Sequence, residues 1–352
     1  MKIYTRKSLI AISLACLGLV ACGGSSSDNP EAVTPSPESP AGSNFTKGLT
    51  GTLYFKRQNR YYDALDIATG QIRQLRDGTL RFGGYSTSYD GTLHTMTVGF
   101  HPPNDFLNRS SRLSVLDDGG REVYVFNFVG EAETEAVISP DNQYIAVVVK
   151  EHKAPFERGL RIYSVSGQLV RFIPDTEKFV FMDINYNRNG ALLVSAYRNG
   201  LYFMTDPLVD EPQLLRETPE ASMVDMTVSP DGESLAYVSA GDRQLYILDP
   251  ESSEPRQLTY GVDNTKLVGG FDWSPDGKYL AFVYYSSPDS CLDSNMLIIE
   301  ASADMERLPS NTNEVKAGSS SEKIFPVDAY IPLIDGPFLS LLGCISGDPS
   351  WR

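Results

Sequence analysis

The chain has 352 residues, 41% of them apolar and 21% charged, with a formal net charge of −15. That length ordinarily implies two or three domains, and so apolar a chain can bury a large core. The acid excess argues against nucleic acid or an anionic lipid surface as a partner, because phosphate binding needs clustered Lys and Arg.

At the N-terminus, Lys2, Arg6 and Lys7 precede an apolar stretch over 9–20 that is short for a bilayer span. It ends in Leu19-Val20-Ala21-Cys22, and Gly23-Gly24-Ser25-Ser26-Ser27 opens a Gly-, Ser- and Pro-rich run to about Ser43 with the composition of a disordered tether. Leu-Val-Ala-Cys resembles the lipobox of bacterial lipoproteins, which implies a signal peptide over 1–21 and lipidation of Cys22. The alternative is an ordinary signal peptide or membrane anchor with a chance Cys. The same resemblance makes Gly23, where Asp would retain the protein in the inner membrane, a sign of the outer membrane, with the domain in the periplasm. The expected division is signal peptide 1–21, lipidated Cys and tether 22–50, and folded domain 51–352. Loss of the signal peptide leaves the chain three charges more negative.

Beyond the tether the sequence repeats. Ser-Pro-Asp-Gly occurs at 229–232 and 274–277, each time between two β-rich runs. Pro presets φ, Asp tolerates the next position, and Gly takes the left-handed one, so each copy reads as a hairpin turn. Weaker copies are Ser88-Tyr89-Asp90-Gly91, Ser139-Pro140-Asp141-Asn142, Asn187-Arg188-Asn189-Gly190 and Ile334-Asp335-Gly336. The last turn residues, 91, 142, 190, 232, 277 and 336, are spaced by 51, 48, 42, 45 and 59 residues, near the four-strand period of a propeller blade. The second half of each period carries further apolar runs, such as Leu245-Tyr246-Ile247-Leu248, Gln213-Leu214-Leu215, Gln168-Leu169-Val170 and Val123-Tyr124-Val125-Phe126. Such runs suit strands buried on both faces between packed blades.

Ring closure is argued from the ends. The runs 52–55, 62–67 and 71–75 read as strands two to four of a blade whose innermost strand must come from the C-terminus, at 330–333 or 349–352. The expected fold is all-β: a single β-propeller of four-stranded blades closed by N- and C-terminal strands. Six blades fit the length; seven also fit, since the 59-residue step contains an insertion around 310–321.

Residues 273–282 (Trp-Ser-Pro-Asp-Gly-Lys-Tyr-Leu-Ala-Phe), with 245–259, resemble the TolB-type, WD-repeat-like propeller repeat, also found in prolyl-oligopeptidase-like peptidases. The resemblance covers about 51–352. It implies the fold and no activity, because the repeat is structural wherever it occurs. Two departures from TolB stand out: there is no room for its N-terminal α/β domain, and TolB lacks the lipid anchor.

Few residues suggest chemistry. His94, His101 and His152 fall in or beside different loops without metal-ligand spacing. No Gly-x-Ser-x-Gly elbow exists, and Gly343-Cys344-Ile345-Ser346-Gly347 has its Ser one place late. The Asp-rich segments 117–120 and 289–295 lack the calcium-loop alternation and read as turns. The sequons at Asn44 and Asn108 are treated as chance. No catalytic, cofactor or metal residue is assigned. Cys291 and Cys344 occupy equivalent places in successive repeats, so a disulfide between them is expected in an oxidising compartment; two buried free cysteines are the alternative.

The leading functional expectation is a membrane-anchored, monomeric periplasmic lipoprotein. Its propeller binds a protein or another envelope component through loops 100–112, 150–159, 286–295 and 310–323. The alternative is a propeller enzyme, a glycan lyase or lactonase with its site at the central tunnel. A third reading is a structural part of an envelope complex.

Overall fold

The recurring turn is built from its own side chains. In the computed structural model, Ser229 Oγ donates to Asp231 Oδ1 and accepts from Ser234 N (2.8 Å), and Glu233 N donates to the same carboxylate oxygen (3.0 Å). The same set recurs at Ser88 with Asp90, Ser139 with Asp141, and Ser274 with Asp276. In the fifth turn Asn187 Oδ1 plays both parts, accepting from Asn189 N and Ala191 N. The last residue of each turn is left-handed, with φ of 72° at Gly91, 60° at Asn142, 88° at Gly190, 82° at Gly232 and 71° at Gly277. The hairpin reading therefore holds at all five.

The structure describes residues 49–352 except 58–60, 78–81, 101–108, 133, 152–156, 178, 198–199, 218–222, 240, 250–251, 253, 262–266, 286–293, 309–323, 328–330, 334–335 and 339–344. Among these residues there is no helix, and the strands form six blades. From the inner to the outer position, blade 1 is Ile345–Trp351, Thr52–Arg57, Tyr61–Asp66 and Ile72–Asp77. Blade 2 is Phe82–Thr87, Leu93–Phe100, Ser110–Asp117 and Glu122–Val129. In blade 3 the short pieces Glu131–Ala132 and Val137–Ile138 share the inner position beside Tyr144–Lys150, followed by Arg158–Ser164 and Leu169–Pro174. Blade 4 is Phe181–Tyr186, Leu192–Ala196, Gly200–Met204 and Gln213–Arg216. Blade 5 is Met223–Val228, Leu235–Ser239, Leu245–Leu248 and Arg256–Gln257. Blade 6 is Leu267–Trp273, Tyr279–Tyr285, Ser294–Glu300 and Ile324–Pro326.

Apolar faces on both sides of the middle strands force each sheet to be covered twice, and a ring does this for every blade. Leu192–Ala196 and Leu235–Ser239 are buried along their whole length. Six apolar clusters fill the six seams between neighbouring blades. At the closing blade, strand 345–351 lies beside 52–57 and supplies the missing inner strand. Thr52 N donates to Arg352 O (2.6 Å) and Arg352 N to Thr52 O (2.9 Å), so the ends of the folded domain meet where other blades have a turn.

Two expectations are corrected. Gly336 does not mark a blade: Gly336–Phe338 pairs with Ile331–Leu333 in a separate hairpin, so the 59-residue step is no period and 330–333 does not close the ring. The apolar runs at the outer positions are not buried on both faces either. Leu215 is 56% exposed, Leu169 49% and Tyr124 43%. An outer strand has no sheet beyond it, which the run of apolar residues alone does not reveal.

Candidate functional site

The fixed turn sets which inner-strand residues line the axis. Seven places before the last turn residue stand Gly84, Glu135, Asp183, Asp225 and Gly270. Five places before it stand Ser86, Val137, Asn185, Thr227 and Asp272. The three carboxylates of the first set and all of the second line one central cavity, together with Pro349, Ser350 and Arg352 from the closing strand. Three successive blades thus contribute an acid at one level.

Two of these carboxylates join blades. Asp272 Oδ1 accepts from Trp273 N (2.9 Å) and from Thr227 Oγ1 of blade 5 (3.3 Å). Its Oδ2 accepts from Trp351 N (2.9 Å) and from Arg352 Nη1 (2.6 Å). The Arg352 guanidinium continues into blade 2, donating to Ser88 O (2.9 Å) and Thr87 O (3.2 Å). One side chain therefore links three blades. Asp183 Oδ2 accepts from Met226 N (2.9 Å) across the seam between blades 4 and 5. In the second strand of blade 1, burial depresses the Lys56 ammonium, and the Glu135 charge offsets part of that shift.

Asp225 is different. Its φ is 51°, a left-handed conformation costing a non-glycine residue about 1 kcal/mol or more. Burial raises its carboxyl, with Arg243 opposing the shift. Burial also raises Asp183 to about 7, helped by the Asp225 charge. Asp183 therefore titrates close to neutral pH, with the Asp225 charge beside it.

These side chains leave a cavity of about 50 Å³. That is room for a few waters, against the several hundred Å³ that usually enclose a small organic ligand. Toward the turn-bearing face the opening widens to about 150 Å³ between Tyr89, Arg188, Pro230, Trp273 and Pro275. Among the described residues, no three of His, Cys, Asp and Glu are placed to hold a metal.

His94 lies away from this tunnel, beside the Ser88–Gly91 turn as expected and fully buried in the second strand of blade 2. Its Nδ1 is 3.1 Å from Tyr62 Oη and 3.2 Å from Thr87 Oγ1, the Tyr54 ring centroid is 4.7 Å away, and Nε2 has no partner. Burial holds its pKa down at about 4, so the imidazole is neutral at physiological pH. Cys22, His101, His152, Cys291, Cys344 and most of the four expected binding loops lie outside the described residues. Glu135, Asp183, Asp225 and Asp272 escaped the sequence reading, although their fixed offset from the turns was a usable signal.

No family model matches the sequence. A stretch of 58 residues, 16% of this chain, is 36% identical to the uncharacterized protein YidR of Escherichia coli K12, 14% of whose length it spans. TolB from Acinetobacter baumannii superposes with a TM-score of 0.55 at 14% identity, covering 86% of this chain and 66% of TolB. The periplasmic gluconolactonase PpgL of Pseudomonas aeruginosa gives 0.52 at 14% identity, covering 86% of this chain and 98% of PpgL. The likeness is one of fold.

Proposed function

We propose that the chain is an envelope lipoprotein whose propeller binds a protein partner over the turn-bearing mouth of its tunnel. The observation that carries this is the contrast along the axis. Four of the turns present Tyr89, Arg188, Pro230 and Pro275 around an open mouth, while the tunnel beneath is closed to about 50 Å³ by its own side chains. A rigid ring of loops over a filled core suits surface recognition better than enclosure of a small substrate. The fold neighbours TolB and periplasmic gluconolactonase favour the periplasm, and the lipobox-like Leu19–Cys22 segment supplies the outer-membrane anchor.

Photo-crosslinkers at Tyr89 and Arg188 in intact envelopes should give one reproducible protein adduct, weakened by Pro230→Glu without loss of thermal stability. Cys22→Ser should abolish acyl labelling and release the protein into the soluble fraction. A membrane-bound Cys22→Ser variant, with no label on the wild type, would refute the anchor.

The enzyme alternative rests on Asp183 and Asp225, whose carboxyls burial raises, Asp183 to about 7, a range that suits acid–base chemistry. Turnover of a lactone or glycan that is lost in Asp183→Asn would put that reading first.

A further inference from the structure

The outer strands are the exposed edges of a propeller, and five of the six are blunted. Blade 1 carries Arg73 and Arg76 in Ile72–Asp77, and blade 3 carries Arg171 and Pro174 in Leu169–Pro174. The outer strands of blades 4, 5 and 6 are only four, two and three residues long. Charges, proline and brevity are the usual protections of a sheet edge against pairing with another chain.

Blade 2 has none of them. Glu122–Val129 is eight residues long and reads EVYVFNFV; among the described residues it pairs only with Ser110–Asp117, and Arg161 Nη1 donates to Val129 O (3.0 Å) at its end. A bulge at Val123 ends the regular ladder, leaving 124–129 as a straight edge without a charged residue, Gly or Pro. Phe126 and Phe128 fix this strand from inside, with ring centroids 5.2 and 5.7 Å from Tyr163 of blade 3. Tyr124 and Val125 face solvent. Glu122, at the start of the strand, is held by Arg76, Arg112 and Ser114, and Asp117 by Arg121, so the acid excess of the chain is locally offset.

We propose that the chain self-associates through this edge, two copies pairing 124–129 as antiparallel strands about a two-fold axis. Two blades would then form one continuous eight-stranded sheet. The occupant is argued from self-complementarity. Any antiparallel register centred on 124–129 opposes only Tyr, Val, Phe and Asn, so no charge meets its own copy across the seam. A sequence-based expectation of a monomer cannot detect this, because only the fold places EVYVFNFV at an open edge.

The test is sedimentation velocity on the purified full chain from about 1 to about 100 µM, with amide exchange measured at both ends of that range. A concentration-dependent dimer is expected, with the amides of 124–129 more protected at the higher concentration. Val125→Lys, at a half-exposed site, should weaken association at least about tenfold by bringing one cation from each copy near the two-fold axis, while Val125→Thr should leave it intact. A wild type that stays monomeric overturns the proposal. So does a dimer whose 124–129 amides gain no protection, a result that does not depend on whether Val125→Lys folds.

Discussion

The seam between blades 5 and 6 and the seam between blades 1 and 2 solve the same packing problem with different chemistry. The first is filled by Leu245, Ile247, Phe271, Trp273, Leu280 and Phe282, all buried, with Trp273 Nε1 donating to Thr227 O (3.2 Å). The second is a smaller cluster of Tyr54, Tyr62, Tyr85, Met96 and Leu116 around the polar His94 and Thr87. Beside it, the ring is closed by hydrogen bonds and a guanidinium. Apolar area is indifferent to pH, whereas a buried imidazole is not, so the strength of the second seam depends on pH where that of the first does not.

The largest effect should come from the dry seam. Phe282→Ala is expected to cost about 3–5 kcal/mol of unfolding free energy, with no change in the pH dependence of stability. Denaturant unfolding at pH 5 and pH 8 checks both parts, and a loss confined to one pH would contradict the contrast.

His94 comes next. Its pKa in the fold, about 4, lies below that of the unfolded chain, about 6.5, so the unfolded state takes up a proton first as pH falls. The stability tied to the neutral imidazole is therefore intact above about pH 6.5 and is lost progressively toward pH 4, by up to about 3 kcal/mol. His94→Phe should flatten this part of the acid limb relative to the wild type. Parallel acid limbs would mean that the imidazole does not titrate with unfolding.

Arg352→Ala should cost about 2 kcal/mol, because it removes charge-assisted bonds to Asp272 and to two carbonyls of blade 2. Amide exchange should accelerate at the inner strands of blades 1 and 2 and leave the seam between blades 5 and 6 unchanged. The smallest effect belongs to Gly232→Val. No atom lies within 4 Å of the added Cβ, so the cost is the left-handed backbone alone, about 1–2 kcal/mol, spread evenly over both seams.

What the sequence disclosed follows the range of the interactions. Ser-Pro-Asp-Gly encodes its own hydrogen bonds within six residues, so the turns and their period were legible from it, while the length left six or seven blades. Closure by a C-terminal strand was legible too, since the strands at 52–75 lacked a partner, but the sequence left 330–333 and 349–352 as equal candidates. Ile334-Asp335-Gly336 misled because a turn signal tells that its flanking strands pair with each other and not whether that hairpin belongs to a blade. The burial of His94 and the pairing of Asp183 with Met226 depend on neighbouring blades about 30 to 45 residues away, and no local pattern encodes them.

The latch also has a kinetic consequence. Trp351 Nε1 donates to Thr50 O across 301 residues of sequence, and blade 1 lacks its inner strand until 345–351 arrives. The other blades are local hairpins that can form as the chain emerges, whereas the ring must wait for its final residues. Contacts of such sequence separation slow folding, and the bare inner edge of Thr52–Arg57 is exposed to wrong pairing meanwhile. Strand 345–351 therefore acts as a timer on maturation.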